Sequence, residues 1–106
     1  MYVSLADSQA EESAELRQLF ELEPELCLVG EAVEAQDLLA QAQVVHPDLV
    51  LLDWELPGLQ GTDLLLALHC FGCPIKVVAF SERTEARQEA LSAGSDAFVS
   101  RDEPME

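Results

Sequence analysis

The sequence runs to 106 residues, enough for one domain around one core and too few for two. Its 21 acidic residues stand against five basic ones, and the formal charge of −16 repels phosphate backbones and anionic lipids alike. Direct nucleic-acid binding and membrane-surface binding are therefore excluded, and any charged partner is expected to be basic, a metal cation included.

An apolar content of 49% argues against disorder, and no apolar run approaches the roughly 18 residues of a membrane span. The first residues, Met1-Tyr2-Val3-Ser4-Leu5-Ala6-Asp7, carry no basic stretch ahead of an apolar one and so do not read as a signal peptide; a cytoplasmic protein is expected. Three cysteines, an odd number, do not make a disulfide framework.

In chain order, residues 2–6 read as a short strand ending at Asp7-Ser8. Apolar residues then recur at Ala10, Ala14, Leu16, Leu19 and Phe20, a helical stripe over 10–23. Ser8 is its expected N-cap, Glu11 completes a capping box, and Pro24 stops it. A second strand follows at 26–30 and a second helix at 35–45, with Leu38, Leu39, Ala42 and Val45 on one face and His46-Pro47 at its end. Next, the four apolar residues from Leu49 to Leu52 run directly into Asp53. Pro47 on one side and Pro57-Gly58 on the other bound this run, which reads as a central strand buried on both faces. Thr62 is expected to cap a third helix, whose body is 64–69 and which Gly72 ends. A fourth strand over 74–80 ends at Ser81, a fourth helix over 84–93 closes at Gly94, and a fifth strand over 97–99 ends at Ser100-Arg101. Strands and helices that alternate through short connections predict an α/β fold, a parallel sheet with helices on both faces.

Parallel strands all finish on one edge, and ligands of such sheets bind beyond that edge. The edge collects Asp7-Ser8, Asp53 with Glu55 two residues on, Ser81 and Arg101. Carboxylates crowded together repel unless a cation joins them, and hard oxygen ligands with open positions suit Mg²⁺. A hydroxyl and a cation opposite would hold phosphoryl oxygens. The residues thus point to phosphoryl transfer onto a carboxylate, against the plainer reading of Asp53 as a turn residue at a strand end.

Six pieces carry a family resemblance: Leu5-Ala6-Asp7, Val29-Gly30-Glu31-Ala32, the stretch 47–58, the stretch 77–81, Ala93-Gly94-Ser95-Asp96 and the stretch 98–102. Together they resemble the receiver domains of two-component response regulators, above all those with a helix-turn-helix output domain. The resemblance covers essentially the whole chain as a single receiver domain over 1–106. It implies a flavodoxin-like, doubly wound five-stranded sheet in the order 2-1-3-4-5. It also implies Asp53 as phosphoacceptor, Asp7, Asp53 and the Glu55 backbone carbonyl as Mg²⁺ ligands, Ser81 as switch hydroxyl and Phe98 in the switch aromatic position. A histidine kinase or phosphotransfer protein would be the partner and transcription control the output, with no enzyme activity beyond self-catalysed phosphotransfer and autodephosphorylation.

Three positions depart from the family pattern. Ser8 stands where a second acid is usual, which weakens Mg²⁺ binding; Arg101 replaces a lysine; Phe98 lacks a tyrosine hydroxyl. These departures keep open a pseudo-receiver, a protein-interaction module that works without phosphorylation. A phosphotransferase of haloacid-dehalogenase type fits less well, since Asp53-Trp54-Glu55 only approximates its Asp-x-Asp. Residues 101–106 resemble the start of a final helix that does not continue, so a domain cut from or lacking an output domain is expected, with a homodimer covering the sheet face.

Cys70 and Cys73 form a C-x-x-C at a helix C-terminus, where the dipole disfavours thiolate, so turn and packing roles are expected for the cysteines, Cys27 included. His46 reads as a helix-end residue, Trp54 as packing near the site, and the acids of the first helix as a solvated face.

Overall fold

Five apolar runs form five strands: β1 (Tyr2–Ala6), β2 (Cys27–Ala32), β3 (Leu49–Asp53), β4 (Lys76–Ser81) and β5 (Ala97–Ser100). The computed structural model describes residues 1–8, 18, 22–71 and 75–100. All neighbouring strands run parallel in the order β2-β1-β3-β4-β5, as the resemblance implied. Three helices follow β2, β3 and β4: α1 (Ala35–Val45), α2 (Gly61–His69) and α3 (Ala86–Ala93).

Strand side chains alternate between faces, and the two faces differ. Val50, Leu52, Val77 and Ala79 are wholly buried against Leu38 of α1, Leu64, Leu65 and Leu68 of α2, and Ala86 and Ala90 of α3. Burying each large aliphatic side chain contributes about 1.5–3 kcal/mol, so this layer is the main apolar core among the described residues. On the opposite face Val3 and Leu5 are buried, whereas Leu49, Leu51, Val78 and Val99 are only half-buried. The expectation of a central strand buried on both faces therefore holds for Val50 and Leu52 but not for Leu49 and Leu51.

Carboxylates close the amino-terminal edge of the sheet. Asp48, just before β3, accepts the Tyr2 N–H at 2.8 Å, and Asp96, just before β5, accepts the Val77 N–H at 2.8 Å. Each satisfies a strand donor that would otherwise lack a ladder partner.

Several boundaries move from their expected places. β2 continues to Ala32 because Glu31 and Ala32 pair with Leu5 and Ala6, and β5 reaches Ser100, which pairs with Ser81. Thr62 is not the cap of α2: the extended Gln60 is, without a side-chain hydrogen bond, and Gly61 is already helical. Gly61 packs directly on Trp54, whose ring lies so close that a Cβ at Gly61 would stand 2.6 Å from ring carbons. α3 starts at Ala86 rather than at 84, because the preceding residues form tight turns, with the Ala86 N–H on the Arg83 carbonyl at 3.1 Å and the Arg87 N–H on that of Thr84 at 3.2 Å.

The helix ends follow the expected chemistry. His46 closes α1 in the left-handed region at φ 48°, with its N–H on the Ala42 carbonyl, and Gly94 closes α3 at φ 113°. Cys70 caps α2. Cys27 and Cys70 are both free and exposed: Cys70 takes the turn role expected of it, and Cys27 does not take a packing one. Trp54 is buried in the core cluster next to Asp53, in keeping with packing near the site.

Most of the helix expected over 10–23 lies outside the described residues, with Glu11 of the capping box; Gln18 and Leu22 are helical, and a turn follows at Pro24. Gly72, Cys73 and residues 101–106 also lie outside them. Among the described residues no helix is long and apolar enough to cross a membrane.

Candidate functional site

β1, β3 and β4 are neighbours, so the residues that leave their carboxyl ends meet. Ala6 pairs with Leu52 and Asp53 with Phe80, which brings Asp7, Asp53 and Ser81 side by side. All three are buried, at 3%, 4% and 0% exposure, an arrangement that costs free energy unless their polar atoms are bonded.

Asp53 is held on both oxygens. Its Oδ2 accepts the Ser8 hydroxyl at 2.6 Å and the Ser8 N–H at 3.2 Å, while its Oδ1 accepts the Glu55 N–H at 2.9 Å. The backbone makes this geometry. Trp54 N–H extends the ladder by one bond to the Phe80 carbonyl, and Leu56 N–H closes a tight turn on the Asp53 carbonyl at 3.0 Å. That turn sends the Trp54 side chain inward onto α2 and the Glu55 side chain outward. Ser8, foreseen as a departure, is thus a donor to the carboxylate; an acid in its place could only accept.

Glu55 makes the second half of the site. Its Oε1 accepts the Ser81 hydroxyl at 2.7 Å and the Arg83 Nε–H at 2.8 Å, and its Oε2 lies 3.4 Å from the second guanidinium nitrogen. The Ser81 oxygen in turn accepts the Arg83 N–H at 3.0 Å. Burial tends to raise the Glu55 pKa, but hydrogen bonds from Arg83 and Ser81 and the guanidinium charge outweigh it, and the carboxyl titrates below its usual 4.5. Arg83 is raised in turn, first by its hydrogen bond to Glu55 and then by the charge.

A carboxyl whose folded pKa is depressed stabilises the fold above its unfolded value, and that contribution is lost as the pH falls through the lower folded one. The melting temperatures of the native chain and of Glu55→Gln should therefore differ by a constant amount at neutral pH and converge as the pH drops below about 4.5. Melts across that range check it. The difference is small, since both side chains are nearly half exposed and water screens the pair.

The expected residues Asp7, Ser8, Asp53, Glu55 and Ser81 come together; Arg101 lies outside the described residues. The cation described in the site is Arg83, which sequence reasoning missed. A signal was present: Glu55 and Arg83 carry opposite charge at the same offset, two residues past Asp53 and Ser81 on neighbouring strands. Phe98 is buried at 7% exposure beneath the Arg87 guanidinium, 5.3 Å from the ring centroid. Among the described residues no group of three or more His, Cys, Asp or Glu is arranged to hold a metal ion.

Comparison with known proteins gives a consistent picture. A model of the response regulator receiver domain matches residues 3–106. The nitrate/nitrite response regulator protein NarL of Escherichia coli K12 is 32% identical over 89 residues, 82% of this chain and 41% of that protein. The transcriptional regulatory protein DesR of Bacillus subtilis is 28% identical over 104 residues, 98% of this chain and 52% of that one. The chain thus spans about half or less of the length of these curated relatives. Among solved structures, the signal receiver domain of a response regulator NarL from Mycobacterium tuberculosis superposes with a TM-score of 0.86 at 24% identity, over 97% of this chain and 85% of that one.

Proposed function

The chain belongs to the receiver domains of two-component response regulators, and from that membership we propose that Asp53 is its phosphoacceptor. A carboxylate oxygen of Asp53 attacks the phosphorus of a phosphohistidine on a histidine kinase or phosphotransfer protein. The P–N bond breaks, an acyl phosphate forms on Asp53, and the imidazole leaves to take up a proton. The observation that carries this reading is the placement of Asp53. It is a buried carboxylate at the carboxyl end of the central parallel strand, held on both oxygens and flanked by Asp7 and the Ser81 hydroxyl. Transcription control is the output proposed, the role that the transcriptional regulatory protein DesR carries in its name.

The residues fit a magnesium ion that keeps several waters. Two buried carboxylates, Asp7 and Asp53, leave adjacent strands together, and the Glu55 carbonyl lies two residues on. Mg²⁺ is commonly held by one or two carboxylates plus substrate oxygens and water. When bound it would offset charge on the incoming phosphoryl oxygens. Ser8 orients the Asp53 carboxylate through its hydroxyl, and Ser81, whose hydroxyl donates to Glu55 in this structure, would have to turn from it to reach a phosphoryl oxygen.

One observation favours the second reading, a phosphorylation-independent interaction module: Ser8 occupies Asp53 Oδ2 at 2.6 Å and must yield for that oxygen to react. Intact-mass measurement after incubation with Mg²⁺ and acetyl phosphate separates the two. A single phosphoryl adduct on the native chain that vanishes in Asp53→Asn is the expected result. An adduct that persists in Asp53→Asn would sink the assignment, and no adduct on either would promote the second reading.

A further inference from the structure

A serine hydroxyl has one proton to donate. That of Ser81 goes to Glu55 Oε1 at 2.7 Å, and the same oxygen accepts the Arg83 Nε–H at 2.8 Å. The backbone N–H of Arg83 reaches the Ser81 oxygen from behind, at 3.0 Å, which leaves the hydroxyl proton pointing at Glu55. A hydroxyl and a guanidinium fork aimed at one anionic oxygen form a donor set suited equally to carboxylate and phosphoryl oxygens. Here the chain fills it with its own side chain.

We propose that Arg83 joins the Ser81 hydroxyl as a donor to the phosphoryl group on Asp53, and that Glu55 is the internal competitor for both donors. The proposal rests on the reading of Asp53 as phosphoacceptor and adds to it a built-in restraint. Ser81 cannot donate to a phosphoryl oxygen until it leaves Glu55, and Arg83 cannot turn without giving up the same carboxylate. Phosphorylation therefore exchanges one anion for another on the same donors, and the displaced Glu55 carries a negative charge that must move away from the new one. The exchange lowers the net gain from binding a phosphoryl group and couples it to movement of the turn after β3 and the loop after β4. Glu55 acts here as a positioning residue, through Ser81 and Arg83; its backbone carbonyl is untouched by side-chain substitution.

Two measurements on the full chain test this. The first needs no phosphoryl ligand: exchange of the Arg83 Nε–H with solvent, followed by nitrogen-15 NMR, is expected to be slow in the native chain and about tenfold faster in Glu55→Gln, because a charge-assisted bond becomes a neutral one. The second is the affinity for beryllofluoride in Mg²⁺, read by Trp54 fluorescence. Glu55→Gln is expected to tighten it about fivefold, and the same substitution made on top of Ser81→Ala is expected to gain clearly less, since partners in one network are not additive. Equal exchange in both forms would show that the latch does not form in solution and would overturn the proposal. So would unchanged or weaker beryllofluoride binding by Glu55→Gln while the native chain binds it. If neither form binds beryllofluoride at all, the phosphoacceptor reading falls and this proposal falls with it, an outcome distinct from binding that Glu55 does not affect.

Discussion

Gly61→Ala is expected to destabilise the domain, although alanine is the better helix former by about 1 kcal/mol. A Cβ at this position would stand 2.6–2.7 Å from three carbons of the Trp54 ring. The ring cannot step aside cheaply, because Trp54 is buried among the side chains of the central core cluster and its backbone N–H is fixed to the Phe80 carbonyl. Overpacking a tight contact costs about 1–3 kcal/mol, and a larger side chain would cost more. The clash outweighs the propensity, and the net loss should lower the melting temperature by about 4–8 °C for each kcal/mol in a domain of this size. Trp54 emission should shift to longer wavelength at the same time as its ring is pushed toward water. A melting temperature equal to or above the native one would show that the ring has room to move.

Ser8→Asp should reverse its effect on stability according to whether Mg²⁺ is present. The Ser8 hydroxyl donates to Asp53 Oδ2 at 2.6 Å, and a carboxylate there removes the donor and adds a like charge. Two unit charges 4 Å apart at an effective dielectric of about 20 repel by up to about 4 kcal/mol, and exposure of position 8 lets the new side chain relieve part of that. In a chelator the variant should therefore melt below the native chain. A third acid beside Asp7 and Asp53 should tighten the cation site, and a ligand at a hundred times its dissociation constant stabilises by about 2.7 kcal/mol. Adding Mg²⁺ should thus raise the melting temperature of the variant far more than that of the native chain. Melts across a magnesium titration decide it. A variant insensitive to the ion, or undiminished in chelator, would show that position 8 does not face the cation.

What could be read from the sequence follows from what each signal depends on. The strands were legible because the apolar runs 49–52 and 77–80 are short, continuous and bounded by turn formers, and the alternation with helices implied parallel pairing. The site was legible at second hand: once parallel pairing is inferred, Asp7, Asp53 and Ser81 must share an edge. The start of α1 at Ala35 was legible, but those of α2 and α3 were not, because Thr62 looks like a cap while the actual cap, Gln60, makes no side-chain hydrogen bond, and tight turns after β4 precede α3. The role of Arg83 was hidden for a different reason. An arginine in a Glu-Arg-Thr-Glu stretch looks like a solvated charge, and only the pairing of β3 with β4 brings it to Glu55 rather than to its chain neighbours. The Ser8 hydroxyl was visible as a helix cap and as a missing acid; that it donates a proton to the very carboxylate it flanks is a property of geometry.

The position of β1 carries a consequence for how the domain forms during synthesis. β1 is an interior strand, bonded to β2 on one side and to β3 on the other, yet it is made before both. The roughly 40 residues that separate β1 from β3 take about 2–8 s to add at about 5–20 residues per second. Until β3 arrives, Val3 and Leu5 sit on a strand with an open edge, the kind of template onto which other extended chains add. β1 can pair with the edge strand β2 early, but its second edge is closed only after about half the chain has been made, and the nascent segment is most exposed to misassociation in that interval.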